Sequence, residues 1–278
     1  MHPDLLQIGS FTLKSYGVAL AVSFILAILI AVKRAKKFGV DPDHVYNVAI
    51  VAVFASVIGS RFFYVIFHLD EFRGQWLNTI NPFNPEGGFG IAGLSMMGGI
   101  VLVIIGVWLY TRLKKVKFTV IGDIIAPTFF LGCGITRLFG CFLNGCCYGK
   151  PTTSWFGVKF PHGAAGYFWR MQLEAHPDAG YTGLIPTQVM ASILGFILFF
   201  VILKLEKNRD FDGFTSWLVL GFYSIDRFFV DQFRYYEPEQ VLGYIGPVII
   251  TVNEIVLIGL FVLSAVMFIR GKKLAKNR

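Results

Sequence analysis

Five ionisable residues of this chain fall inside, or at the edge of, long apolar runs: Arg61, Arg137, Arg227, Asp231 and Arg234. A guanidinium held at hydrocarbon depth costs about 3 kcal/mol or more unless it faces a polar cavity, a partner or a bound anion. Four cations against one carboxylate leave positive charge to be met by something else. The abundant anion of a bilayer is the phospholipid phosphate, which guanidinium groups grip by paired hydrogen bonds. The residues therefore point to a site that holds a lipid headgroup.

Three stretches carry the chemistry. Tyr223, Arg227, Asp231 and Arg234 recur at helical spacing and form one polar stripe. Asp231 can pair with either arginine; a plain ladder of ion pairs inside a bundle is the competing reading. The run from Gly134 to Pro151 is the densest polar patch, with Arg137, Cys141, Asn144, Cys146, Cys147 and Gly149. The neighbours Cys146 and Cys147 can pair, bind metal or stay reactive. The four cysteines have no zinc-like spacing and the chain has only five histidines, so no metal site is expected. The third stretch, Gly87 to Gly99, ends in Gly98-Gly99. Such glycine density marks either backbone bending beside a cavity or a close helix crossing. Arg61 follows Gly59-Ser60 near the end of an apolar run, where it either joins the site or snorkels to the interface.

The elements that must position these residues are transmembrane. The 278-residue chain is 55% hydrophobic and only 15% charged, with a mean hydropathy of +0.63. A soluble domain is roughly a quarter charged. The expected fold is an all-α integral membrane protein with seven spans, near 15–32, 46–67, 90–111, 122–144, 186–204, 213–233 and 245–269. Lys/Arg clusters follow the first, third, fifth and seventh spans. The positive-inside rule then sets the N-terminus outside and the C-terminus in the cytoplasm. This bias accounts for most of the net charge of +8, so nucleic acid is not an expected partner. The N-terminus lacks a basic region before an apolar core, and the first span is expected to be retained. The chain reads as one polytopic membrane domain over 1–278. It holds an outer-side interfacial insertion at 145–185 with Trp155, Tyr167, Trp169 and Tyr181. A second outer segment, 68–89, is similar in character.

Taken together, these segments resemble the prolipoprotein diacylglyceryl transferase family. Tyr16-Gly17 opens the first span. Gly59-Ser60-Arg61 before Tyr64-Val65 resembles the family's Gly-Gly-Arg. Gly98-Gly99, the signature approximated by Arg137 to Gly149, and the pattern Tyr223, Arg227, Asp231, Arg234 follow in order. The departures are specific. Met97 stands at the family's His and cannot take a proton. Cys141 replaces an Asn, Phe139 is inserted, Cys146 replaces a Glu, and Ile185-Pro186-Thr187-Gln188 replaces His-Pro-Ser-Gln.

The resemblance implies a multi-pass enzyme of the bacterial inner membrane. Its partners would be phosphatidylglycerol and prolipoprotein signal peptides, with no cofactor. Diacylglyceryl would move to the thiol of a lipobox cysteine. Catalytic roles are expected for Arg137, Arg227, Asp231 and Tyr223, and phosphate binding for Arg61, Arg137, Arg227 and Arg234. Tyr16, Gly98, Gly99, Asn144, Cys146, Cys147 and Gly149 would contact substrate. Two alternatives stay open: a related lipid transferase that uses Cys146 or Cys147 covalently toward another acceptor, and a lipid or anion transporter.

Overall fold

The computed structural model describes residues 4–8, 11–74, 76–79, 94–159 and 183–277. It is mostly helical: α1 (Ser15–Lys37), α2 (Pro42–Phe67), α3 (Met96–Leu113), α4 (Phe118–Ile135), α5 (Thr187–Leu205), α6 (Phe214–Asp231) and α7 (Val252–Lys276). Short antiparallel hairpins lie before α1 and before α7: β1 (Asp4–Ile8) with β2 (Phe11–Lys14), and β5 (Val241–Ile245) with β6 (Val248–Thr251). Two-residue strands, β3 (Pro151–Thr152) and β4 (Gly183–Leu184), pair between α4 and α5.

Six of these helices, all but α6, are long and apolar enough to cross a membrane. They leave large side chains outward, such as Phe54, Ile58, Phe67 and Phe200, each more than half exposed. Apolar surface on that scale needs lipid rather than water against it. The helix α6 matches α3 in length but carries Asp226, Arg227 and Asp231.

Two of the expected spans shift. The seventh starts at Val252, because 245–251 belong to the β5–β6 hairpin. The β-branched run Val248-Ile249-Ile250-Thr251 favours strand, and a Thr251–Glu254 capping box then starts α7. The third starts at Met96, and 90–93 lie outside the described residues. So do Gly87, Gly88, Gly90 and Gly93, as well as Tyr167, Trp169 and Tyr181 of the 145–185 segment.

The chain divides into two compact units, Met1–Ala31 with Gly122–Arg278, and Val32–Ile121. In the second, α2 and α3 cross at their glycines. A Cβ built at Gly59 or Gly98 would fall inside contact distance of the other's carbonyl oxygen, and one at Gly99 would lie 2.6 Å from the Ser60 Oγ. Ser95 N–H donates to the Ser60 carbonyl at 2.9 Å. Gly98 and Gly99 thus serve a close backbone crossing.

In the first unit the core is Phe130 of α4, Phe199 and Ile202 of α5, and Val219 of α6. Asp123 of α4 is fully buried and accepts hydrogen bonds from Gly213 N–H (2.8 Å), Ser216 N–H (2.8 Å) and Ser216 Oγ (2.9 Å). It thereby caps the N-terminus of α6 from a neighbouring helix, meeting backbone donors that lack an intrahelical partner. On α7, Ser264 Oγ donates to the Trp217 carbonyl at 2.6 Å, beside Gly221. These contacts fix α6, the helix with the polar stripe, along its length.

Candidate active site

The site forms where α6 ends. Asp231 is fully buried. Its Oδ1 lies 3.1 Å from Arg227 Nη2 and 3.5 Å from Arg234 Nη1. Its Oδ2 accepts from Asn253 Nδ2 at 2.5 Å. One carboxylate thus holds two guanidiniums in fixed positions: Oδ2 is hydrogen-bonded, and Oδ1 lies within ion-pair distance of both arginines, with no formal hydrogen bond among the described residues. That geometry suits a positioning residue more than a proton acceptor. The triad carries a surplus positive charge, and Arg234 Nε is buried without a hydrogen-bond partner among the described residues. Tyr223, two turns earlier on the same helix, packs edge-on against Phe129 with ring centroids 5.2 Å apart.

Opposite this stripe, α4 runs on as a π-helical segment, Thr136–Phe142. A π turn inserts one residue into the helical repeat and re-aims the side chains around it, a feature that favours functional positions. The inserted Phe139 falls within this segment and points outward, about half exposed. Neighbouring helices brace the turn. Ser192 Oγ of α5 donates to the Gly134 carbonyl at 2.7 Å, and Ser23 Oγ of α1 lies 3.0 Å from Thr136 Oγ1.

Arg137 sits on this segment with no carboxylate within ion-pair distance among the described residues. Among the described residues its side-chain partners are sulfurs: Nη1 lies 3.9 Å from Cys141 Sγ, and the Cys147 thiol is a second hydrogen-bonding neighbour. A guanidinium has five N–H donors, so most of its capacity is left for a ligand. Tyr16, in the first turn of α1, stands within electrostatic range of Arg137, and Gly140 leaves room for its ring.

After the π segment the chain turns sharply through Gly145 (φ 71°) and Cys147 (φ 63°). Two α5 side chains anchor the turn: Thr187 Oγ1 donates to the Cys147 carbonyl and Gln188 Nε2 to the Cys146 carbonyl, each at 2.7 Å. Asn144 hydrogen-bonds the Cys146 thiol. Beyond the turn, Gly149 N–H donates to the Ile185 carbonyl (2.8 Å) and Lys150 N–H to the Phe233 carbonyl (2.9 Å). A Cβ at Gly149 would lie 2.5 Å from the Phe233 carbonyl oxygen, so only glycine lets the loop lie against the end of α6. The loop and Arg234 are thereby brought side by side. Hydrogen bonds from the Cys141 and Cys146 thiols hold the Cys147 thiol below the ordinary thiol range, with the Arg137 and Arg234 charges acting the same way.

Spacing missed one residue. Asp226 lies off the helical stripe, yet its Oδ1 is buried with no hydrogen-bond partner among the described residues. It is within electrostatic range of both Arg227 and Arg137. The available signal was a second carboxylate directly before Arg227 in an apolar span.

Arg61, Gly98 and Gly99 belong to the unit Val32–Ile121. There Arg61 Nε donates to the Thr79 carbonyl at 2.9 Å, and its guanidinium lies over the Phe72 and Tyr64 rings at 5.2 and 5.8 Å. Protein groups therefore satisfy at least one face of this arginine. Met97 is 61% exposed beside the glycine crossing.

The arrangement around α6 can bind an anion through guanidiniums whose positions are preset, next to thiols and a carboxylate with an open oxygen. The model of the family described as prolipoprotein diacylglyceryl transferase matches residues 3–270. The chain is 30% identical over 234 residues to a Clostridium botulinum (strain 657 / Type Ba4) protein, covering 84% of this chain and 87% of that one. It is 30% identical over 240 residues to one from Clostridium tetani (strain Massachusetts / E88), covering 84% and 86%. It is 31% identical over 219 residues to one from Clostridioides difficile (strain 630), covering 79% and 77%. All three relatives bear the name phosphatidylglycerol–prolipoprotein diacylglyceryl transferase.

Proposed function

This chain belongs to the prolipoprotein diacylglyceryl transferase family, and from that premise we propose that it moves diacylglyceryl from phosphatidylglycerol to a lipobox cysteine of prolipoproteins. A carbon–sulfur bond forms at the glycerol carbon as its carbon–oxygen bond to phosphate breaks. The electron pair leaves with glycerol phosphate, and the thiol proton must go to a base. The observation that carries the reading is Arg137, a cation on a π turn with no carboxylate partner among the described residues. Arg137, Arg227 and Arg234 form the phosphate clamp and stabilise charge as it develops on the leaving group. Asp231 positions Arg227 and Arg234. Asp226 takes the thiol proton in place of the histidine whose position Met97 occupies, because its Oδ1, unlike that of Asp231, has neither a hydrogen bond nor an ion pair among the described residues. Tyr16, Tyr223, Asn144 and Gly149 shape the lipid niche, and Arg61 is assigned to phosphate binding on its charge.

The reading places the protein in the bacterial inner membrane as a single polytopic body crossing seven times. The N-terminus is outside, the C-terminus cytoplasmic, and 145–185 lies on the outer face. The charge pattern of the loops supports that orientation, and α6 is counted as a crossing because its charges face protein partners. The test is replacement of the resident transferase in a depleted bacterium, with a lipobox substrate read by mass. A diacylglyceryl mass shift is expected. Its absence with well-inserted protein would refute the assignment.

The lowered Cys147 thiol favours one second reading, in which Cys146 or Cys147 accepts the lipid first. It requires a lipid adduct on the enzyme after incubation with phosphatidylglycerol vesicles, and full turnover by the C146A/C147A protein would eliminate it.

A further inference from the structure

The proposed transfer leaves one cluster without a task. The sulfur atoms of Cys141, Cys146 and Cys147 all lie within 4.8 Å of one another, although the sequence separates Cys141 from the other two by a turn and a half of chain. We propose that these three thiols form a binding site for a single thiophilic d10 cation of the Zn²⁺ or Cu⁺ class.

Geometry is the first support. Metal–sulfur bonds of about 2.3 Å place the sulfurs of a three-thiolate complex about 4 Å apart. The observed limit of 4.8 Å is a small contraction away. A disulfide would use only two of the sulfurs and bring them to about 2.05 Å. It gives no reason for the third to converge.

The second support is how the loop is built. Cys141 is delivered by the π segment and is buried. Cys147 adopts φ 63°, a left-handed conformation that its Cβ disfavours. Thr187 and Gln188 hold the carbonyls of Cys147 and Cys146 from α5, each at 2.7 Å. A non-glycine residue kept in that conformation by two outside anchors points to a function for its side chain.

Charge is the third. Three thiolates around one cation carry a net negative charge. Arg137, with Nη1 3.9 Å from Cys141 Sγ, and Arg234, within electrostatic range of Cys147, offset it. Such N–H donors beside metal-bound sulfur tune a site from its outer shell. Thiolate donors select soft cations over magnesium or calcium. Arg137 retains further N–H groups for a phosphate, so the metal site and the transferase site share one residue without excluding each other. The zinc-like spacing that the sequence lacks is supplied by the π turn and the left-handed bend.

The experiment uses the full-length protein in detergent, reduced and then freed of reductant, with four thiols confirmed by thiol count. Cd²⁺ titration should give an ultraviolet thiolate-to-cadmium charge-transfer band that saturates at one equivalent. Zn²⁺ should displace the cadmium if the site is of the zinc type. Competition against a coloured Cu⁺ chelator reads the copper type. The Cys133→Ser protein should keep the band, whereas C141S, C146S and C147S should each weaken Cd²⁺ binding at least tenfold. Two results would overturn the site: no band and no Cu⁺ capture by reduced wild-type protein, or a band that survives the C141S/C146S/C147S triple variant. Since the wild-type measurement alone can decide, a variant that fails to fold does not protect the idea. The readout is spectroscopic, so its failure is separable from loss of lipid transfer.

Discussion

Replacing Arg137 tests the phosphate clamp most directly. Its guanidinium has no carboxylate partner among the described residues and meets only thiol groups, with Nη1 3.9 Å from Cys141 Sγ and Cys147 as a second sulfur neighbour. Little protein–protein stabilisation is therefore lost on truncation. Removal of a cation from a partly buried site should leave thermal stability unchanged or raise it. Catalysis should behave oppositely. A charge-assisted hydrogen bond contributes about 1.5–3 kcal/mol, and a bidentate phosphate contact uses two. Donors aimed at developing oxyanion charge typically carry a factor of about 10² to 10³ each. Arg137→Ala should lower kcat/KM for phosphatidylglycerol by about 10³, or about 4 kcal/mol. Arg137→Lys keeps the charge but loses the fork, and should fall by about 10 to 10². The assay is transfer from phosphatidylglycerol vesicles to a lipobox peptide, read by mass, with thermal unfolding of each variant measured alongside. An R137A protein that inserts, melts normally and turns over within tenfold of wild type would refute the clamp.

The remaining predictions concern neighbours of that residue. Asp226→Asn should reduce kcat by about 10² or more at constant KM, as expected for loss of a general base; an unchanged kcat would return the proton to another group. Asp231→Ala leaves Arg227 and Arg234 without their shared carboxylate. Uncompensated buried charge of this kind costs about 3–5 kcal/mol, so the melting temperature should drop by several degrees while Asp231→Asn drops it less. A Tm within error of wild type would show that the triad is not structurally coupled. Cys147 has its thiol below the ordinary range, chiefly through hydrogen bonds from Cys141 and Cys146. A lowered thiol holds more thiolate at any given pH. Its alkylation rate should therefore level off at lower pH than that of an ordinary thiol near pKa ~8.5. A rate at Cys147 that still climbs with pH as an ordinary thiol's does, read by peptide mapping, would contradict the lowering.

Much of this protein was legible in one dimension. Transmembrane helices follow from apolar runs of about 20 residues because hydrocarbon forces the backbone to bond to itself. The arginines stood out because charge in such runs is costly wherever it occurs. The α6 stripe was readable from periodicity alone, and Arg227, Asp231 and Arg234 do meet. What periodicity cannot carry is a break in the period. The π segment at Thr136–Phe142 and the left-handed Cys147 re-aim a handful of side chains and bring three sulfurs together that regular helix would spread apart. The β5–β6 hairpin displaced a predicted helix start for a similar reason, since β-branched residues in an apolar run fit strand or helix until neighbours decide. Asp226 fell outside the stripe because successive residues of a helix point about 100° apart, and periodicity along α6 does not say what its side chain meets there. Burial and partners belong to the packing of neighbouring segments. Local covalent and hydrophobic rules act along the chain and are written in it; which polar atom stays without a partner is set only when separate segments close around it.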